Sequence, residues 1–180
     1  MATTAAPEPP ADRLRRVLTE HGPALRRFAT SWTRSDAERD DLLQDIAIAL
    51  LAALPRFRGD CPERAFVWRV AHNRACTATS QRKRAEAFDS TVDVESHAST
   101  SPSPHDVIEH RQRLDRLQRA LRLLRADQRL LVMLALEGLS LDETAAVVGG
   151  TANAIGVRLH RARAALLAAV TSLDVPQETP

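Results

Sequence analysis

What this chain lacks narrows its function first. Its two cysteines, Cys61 and Cys76, are too few and too poorly spaced for a disulfide framework or a zinc site, so reduced thiols are expected. The histidines His21, His72, His97, His105, His110 and His160 show no metal-ligand spacing, and no glycine-rich phosphate loop occurs. Nothing here is arranged for catalysis, and no cofactor or metal is expected. No apolar run approaches the roughly 20 residues of a membrane span, and the start MATTAAPEPPADR has no basic segment followed by an apolar core. The expectation is a soluble, cytoplasmic protein. Lysine is nearly absent too, Lys83 being the only one. Arginine suits phosphates and base edges, but a GC-rich genome produces the same bias, so the placement of charge says more than its type.

With 44% hydrophobic and 27% charged residues the chain is globular, and 180 residues suffice for one ordinary domain or two small helical ones. A net charge of +2 conceals segregation. Residues 56–84 hold Arg56, Arg58, Arg64, Arg69, Arg74, Arg82, Lys83 and Arg84 against Asp60 and Glu63, a net of +6 that suits a polyanion. Aromatics make up only 3% of the chain, yet Phe57, Phe66 and Trp68 fall among these cations, where they can stack unpaired bases. Phe66 and Trp68, two apart, cannot share one helix face; Phe66 is assigned to the core with Val67, Val70 and Ala71. From Ala85 to His110 there is no lysine or arginine, while Glu86, Asp89, Asp93, Glu95, Asp106 and Glu109 occur among Ser, Thr and Pro. Residues 85–106 therefore read as a flexible acidic linker.

The periodicity is helical throughout. After a Pro/Ala tail (1–11), a helix from Asp12 is expected to break at His21, Gly22 and Pro23, and a second places Leu25, Phe28, Ala29 and Trp32 on one stripe. Ser35 and Glu38 form a capping box for the next, which buries Leu42, Leu43, Ile46, Ala47, Leu50, Leu51 and Leu54 and ends at Pro55. Its outer face is acidic, with Asp40, Asp41, Gln44 and Asp45; a plain solvated surface is the alternative for such a face. A loop, PRFRGDCPER, leads into a helix over 63–84. Beyond the linker, Leu114, Leu117, Leu121 and Leu124 line one helix, Asp127 caps another that stops at Gly138, and Ser140 with Glu143 caps a third.

The stretch LSLDETAAVVGGTANAIGVRLHRAR reads as a helix-turn-helix. Ala145 is small where two helices would cross, Gly149 is free to take positive φ, and Ile155 is the buried anchor, with Leu141, Val148 and Leu159 beside it. Thr151 can cap the second helix, directing Asn153, Gly156, Val157, His160 and Arg161 toward a major groove. An ordinary helical hairpin is the alternative.

Taken together, DAERDDLLQDIAIALLAALPRFRGD, FVWRVAHNRA, EGLSLDETA and RLHRAR resemble regions 2 and 4 of the extracytoplasmic-function sigma factors of bacterial RNA polymerase, in the family's order and across an acidic linker. The resemblance implies an all-α fold of two small helical domains, 12–84 and 107–173, followed by a tail over 174–180. It implies a subunit that binds core RNA polymerase and directs initiation by recognising and melting promoter DNA. Asp40, Asp41, Leu42, Gln44 and Asp45 would dock on the β′ clamp helices, with the β flap a further contact. Phe57, Arg58, Gly59, Asp60, Arg64, Trp68, Arg69, His72, Asn73, Arg82, Lys83 and Arg84 would capture the minus-ten element. Thr151, Asn153, Gly156, Val157, Arg158, His160 and Arg161 would read the minus-thirty-five element. An anti-sigma factor is a further expected partner. The chain departs from the family's usual residues at Glu63, Thr77, Gly150 and Gly156. Two other classes fit parts of the sequence: a free-standing helix-turn-helix regulator that binds duplex DNA without polymerase, and a helical adaptor, which the +6 segment disfavours. The linker also predicts that the halves move freely relative to each other, because salt near 0.15 M screens exposed charges beyond about 8 Å.

Overall fold

Every element in the computed structural model, which describes residues 8–88 and 105–174, is helical. The first helix, α1, spans Pro10–Trp32 and starts on a proline, whose missing N–H would have no partner there in any case. It does not break at His21–Pro23 as the sequence suggests. Val17, His21, Leu25, Phe28 and Trp32 form one continuous buried stripe across that point, so packing on both sides outweighs the single hydrogen bond that Pro23 removes.

Helix α2 spans Asp36–Ala53 and is capped by Ser35, whose Oγ accepts from Glu38 N at 3.2 Å. The expected return bond is absent: the Glu38 carboxylate accepts from Arg34 N and Arg82 instead. Leu42, Ile46 and Leu50 are buried, whereas Leu51, expected on the same face, is 45% exposed. A 3-10 turn, Leu54–Arg56, follows at Pro55.

Helix α3, Glu63–Phe88, runs four residues beyond its expected end, into the sequence read as linker. Its buried face is Ala65, Trp68, Ala71 and Ala75, where small residues let α1 and α2 come close. Trp68 meets Phe28 edge-on at 5.5 Å between ring centres, Phe28 meets Trp32 at 5.6 Å, and Trp32 meets the His72 ring at 5.6 Å.

The second half comprises α4 (His105–Leu123), α5 (Ala126–Leu136), α6 (Leu141–Val148) and α7 (Ala152–Asp174). Pro10 and Ala11 of the expected tail and His105 and Asp106 of the expected linker are helical instead, and residues 1–7, 89–104 and 175–180 lie outside the described residues. Five consecutive α5 residues, Leu130 to Leu134, are buried, as in a helix enclosed on all sides. Asp127 is not its cap: Arg125 takes that position, and Asp127 lies in the first turn beside Arg125. Gly138, at φ +74°, ends the segment by the expected glycine turn, with Leu139 N–H donating to Leu134 O and Gly138 N–H to Ala135 O. Ser140 and Glu143 complete the expected capping box of α6.

The two halves are packed against each other, α4 on α1 and α6 on α3, which overturns the expectation of free movement. That expectation counted only screened surface charge, whereas the contact is made by partly buried arginines. Arg129 of α5 donates to Leu121 O, Arg122 O and Leu124 O at the end of α4, crosses to Ser31 O of α1 at 3.1 Å, and lies 4.9 Å from the centre of the Trp32 ring. Burial, then repulsion from Arg82 and Arg122, pushes its pKa down; the carbonyls and the ring offset that cost. Replacing Arg129 with Gln leaves several carbonyls unpaired and should lower stability by about 2–3 kcal/mol in urea unfolding. A loss under about 0.5 kcal/mol would show that water takes over these carbonyls freely.

Candidate nucleic-acid interface and acidic docking face

The outer face of α2 exposes Asp41, Gln44 and Asp45 at helical spacing, and among the described residues neither aspartate has a cationic partner. Asp40 differs, pairing with Arg39 at 2.9 Å and lying 3.8 Å from Arg26. Leu42 is 3% exposed and belongs to the core, so it cannot dock a partner directly. The sequence reading missed Ile48, 59% exposed, which continues the Asp41, Gln44, Asp45 stripe by one more turn, with Leu51 beside it. An apolar residue seven positions after Asp41 was the available signal.

After the 3-10 turn the chain forms the loop 57–62, with Arg58, Gly59 and Asp60 exposed and Gly59 at φ +80°, which an L side chain rarely adopts. The Phe57 ring packs on Phe66 at 4.7 Å. Arg13 lies over Phe57 at 5.2 Å and Arg69 over Phe66 at 5.6 Å, giving a half-buried aromatic pair with a guanidinium at each ring. Glu63 steadies the loop from α1, accepting from Arg13 at 2.7 Å and Arg16 at 2.8 Å, while Arg13 also reaches Leu54 O. The Arg16 bond, with Arg13 assisting and burial opposing, holds the Glu63 carboxyl below the usual range.

The expected division between Phe66 and Trp68 is reversed. Trp68 is 1% exposed and wedged against Phe28, so it cannot receive a base, whereas Phe66 is only half-buried, beside Phe57. Periodicity alone could not choose between two aromatics on different faces. Arg69, Asn73, Lys83 and Arg84 are exposed as expected. Arg82 is instead held inside the fold by Glu38 and Trp32 O, and Arg64 donates to the O of Glu137, the residue that caps the C-terminal end of α5. His72 is largely buried against Trp32, its pKa pushed down by burial, with the Cys76 thiol 3.5 Å away.

In the second half, α6 and α7 meet across Gly149 and Gly150, at φ +81° and +102°. Thr151 Oγ1 accepts from Ala154 N, capping α7. Ile155, Leu159 and Ala162 face inward, while Asn153, Val157, Arg158, His160 and Arg161 are exposed. Gly156 is the exception: a Cβ there would lie 3.5 Å from Leu141 Cδ1, so this position faces α6 rather than a groove. The buried residues of α6 are Thr144 and Val147.

An acidic stripe on α2, an arginine-flanked aromatic loop and a two-helix unit with an exposed face on α7 thus occur together in one chain whose described elements are all helices. Residues 17–85 match the family model for sigma-70 region 2, and residues 114–166 match sigma-70 region 4. The chain is 31% identical to the ECF RNA polymerase sigma factor SigD of Mycobacterium tuberculosis, covering 83% of this chain and 73% of that one. It is 31% identical to the RNA polymerase sigma factor CnrH of Cupriavidus metallidurans, over 84% and 83%. Among solved structures it is similar to CnrH in complex with the cytosolic domain of CnrY (TM-score 0.64, 28% identity, 90% and 89% covered). It is also similar to the sigma factor RpoE in complex with the anti-sigma factor NepR from Bartonella quintana (TM-score 0.69, 27% identity, 89% and 98% covered). The chain belongs to the extracytoplasmic-function sigma factors of the sigma-70 family.

Two outcomes follow from this geometry. Trp68→Ala should cost about 3–5 kcal/mol of stability as a core truncation, whereas Phe66→Ala, the truncation of a half-buried ring, should cost about 1–2 kcal/mol; equal losses in chemical denaturation would contradict the reversal. Glu63 has a depressed folded-state pKa, so its contribution is present above its ordinary value of 4.5 and is lost as pH falls through the folded value. Glu63→Gln should therefore be less stable than the parent near neutral pH, by about 1 kcal/mol or less for a solvent-screened pair. The difference should vanish in thermal melts taken below the folded pKa, and a gap that persisted there would rule out the ion pairs as its source.

Proposed function

We infer that this chain is a promoter-specificity subunit that binds core RNA polymerase, directs it to promoters and helps part the DNA strands at the start-proximal element. The observation that carries this reading is the pairing of region 2 and region 4 in one chain with an acidic stripe, Asp41 and Asp45, that has no cationic partner among the described residues. A free-standing regulator would need only the helix-turn-helix and leaves that stripe unexplained. The working division is the expected one adjusted to the helix ends: a region 2 domain over 10–88, a connecting segment over 89–104 and a region 4 domain over 105–174.

Asp41, Gln44 and Asp45, extended by Ile48 and Leu51, form the face for the β′ clamp helices. Asp40 serves it less directly, through its arginine pairs. Phe57, Arg58, Gly59, Asp60 and Phe66, with Arg69, Asn73, Lys83 and Arg84, form the minus-ten face. There a flipped base can stack on an aromatic ring while guanidinium groups hold the parted strand. Asn153, Val157, Arg158, His160 and Arg161 form the minus-thirty-five face, with Thr151 ordering the helix that presents them. No residue acts as a catalyst. Two of the similar structures are sigma factors in complex with CnrY and NepR, which supports an inhibitory protein as a further partner.

Asp41→Arg and Asp45→Arg should each reduce capture of core polymerase at least tenfold while leaving the fold within about 0.5 kcal/mol, since both sites are exposed. Arg58→Ala should lower run-off transcription from duplex promoters more than from templates already open around minus ten, because a bubble removes the unpairing cost. Undiminished polymerase capture by both charge reversals would reject the docking assignment. Equal loss on the two templates would reject the melting one.

A further inference from the structure

The loop 57–62 is closed at its base by a side chain that lies outside it. Arg13 of α1 donates through Nη1 to Leu54 O at 3.3 Å, in the turn before the loop, and through Nε and Nη2 to Glu63 Oε2 at 2.9 and 2.7 Å, in the first turn of α3 after it. Leu54 O also accepts from the Phe57 N–H at 3.2 Å, and the same guanidinium lies over the Phe57 ring, 5.2 Å from its centre. Backbone and ring of Phe57 are thus both fixed relative to Arg13. About one turn further along α1, Arg16 takes the other oxygen of Glu63, Nη1 to Oε1 at 2.8 Å, so the carboxylate is held by two arginines on one face of the helix.

All three guanidinium nitrogens of Arg13 are engaged within the protein, and its side chain is 24% exposed. That separates it from Arg58, which is exposed on the loop itself. Gly59, at φ +80°, widens the range of conformations open to the loop, and ordering it only when DNA arrives would subtract from binding. A clamp across the base of the loop removes that cost beforehand. Both arginines precede residue 17, where the match to region 2 begins, so the clamp is built from chain outside the matched segment.

We propose that Arg13 is a positioning residue for minus-ten capture: it closes the base of the 57–62 loop and fixes the Phe57 ring, with Arg16 and Glu63 holding it in place, so that the loop meets the parted strand already shaped. The proposal rests on the promoter-binding reading above. Arg13 acts through Phe57 and the loop backbone, not by touching DNA. Two consequences separate this role from a phosphate contact. Loss of a phosphate-binding arginine lowers the log–log salt slope of single-strand binding by about 0.7, whereas loss of the clamp leaves the slope as it was. Glu63→Gln removes a negative charge beside the strand, so simple electrostatics predicts tighter binding, while release of the clamp predicts weaker binding.

The test uses the full chain loaded on core polymerase and a fluorescent single strand, the non-template strand around minus ten of a promoter that the loaded polymerase transcribes. Arg13→Gln and Glu63→Gln should each weaken binding of that strand about threefold to tenfold, at unchanged salt slope and with unchanged capture of core polymerase. Arg58→Ala serves as the contrast, with a slope lower by about 0.7. In a Phe57→Ala background Arg13→Gln should add little, because the two residues act on one element. In the free chain, amide exchange over 54–63 should quicken about tenfold in Arg13→Gln while α2 keeps its parent rates, a pattern that a general loss of stability does not produce. A tighter-binding Glu63→Gln, or a slope that falls in Arg13→Gln as it does in Arg58→Ala, would overturn the proposal in favour of a direct charge effect. Additive losses from Arg13→Gln and Phe57→Ala, or unchanged exchange over 54–63, would overturn the clamp. Failure of the promoter reading is a separate result, seen as no core-dependent run-off transcription from any template, while the exchange measurement still decides whether Arg13 shapes the loop.

Discussion

Arginines that reach into the C-terminal ends of other helices hold this protein together. Neither α1 nor α5 has a basic residue in its last turn, so the carbonyls at their ends need donors from elsewhere. Arg82 of α3 reaches Trp32 O, Arg129 of α5 reaches Ser31 O, and Arg64 of α3 reaches Glu137 O. Arg129 also closes off three carbonyls at the end of α4. These bonds fix where one helix ends relative to another, which apolar contact alone leaves free to slide. A forked guanidinium can serve several carbonyls at once, and a lysine ammonium could not match that pattern from one position. The arginine bias of the chain thus has a structural use whatever its origin.

Five of the six aromatics are divided between two tasks. Phe28, Trp32 and Trp68 form a connected cluster through the core of the first three helices, and Trp32 carries it to the boundary, where Arg129 lies over the ring. Phe57 and Phe66 are left half-buried at its edge, each with an arginine alongside. The same side-chain chemistry provides cohesion in one place and a stacking platform in the other. Burial decides which.

Departures from the family pattern acquire physical roles here. Glu63, where an aromatic is usual, ties the loop to α1 through Arg13 and Arg16. Gly150, at φ +102°, takes a backbone conformation that a branched residue would strain, so the turn before α7 opens with two glycines in place of one. Gly156 faces Leu141, where even a Cβ would make only ordinary contact, and the exposed reading positions fall around it rather than on it.

Much of this was legible in the sequence because it depends on short-range rules. Helical periodicity, the Ser35, Ser140 and Thr151 caps, the Gly138 and Gly149 turns, the acidic face of α2 and the inward Ile155 and Leu159 all follow from spacing within a few residues. What the sequence could not settle were choices between equivalent local patterns. Phe66 and Trp68 satisfy the same helix on different faces, and only the position of Phe28 made Trp68 the buried one. Pro23 marks a break by local rules, and only the stripe from Val17 to Trp32, packed along its length, kept α1 whole. Arg64 and Arg82 read as free cations because their acceptors, Glu137 O and Trp32 O, are remote in sequence. Closure of the two halves belongs to the same class: it depends on backbone carbonyls at helix ends, which every sequence has and which only the folded chain brings within reach of a particular arginine.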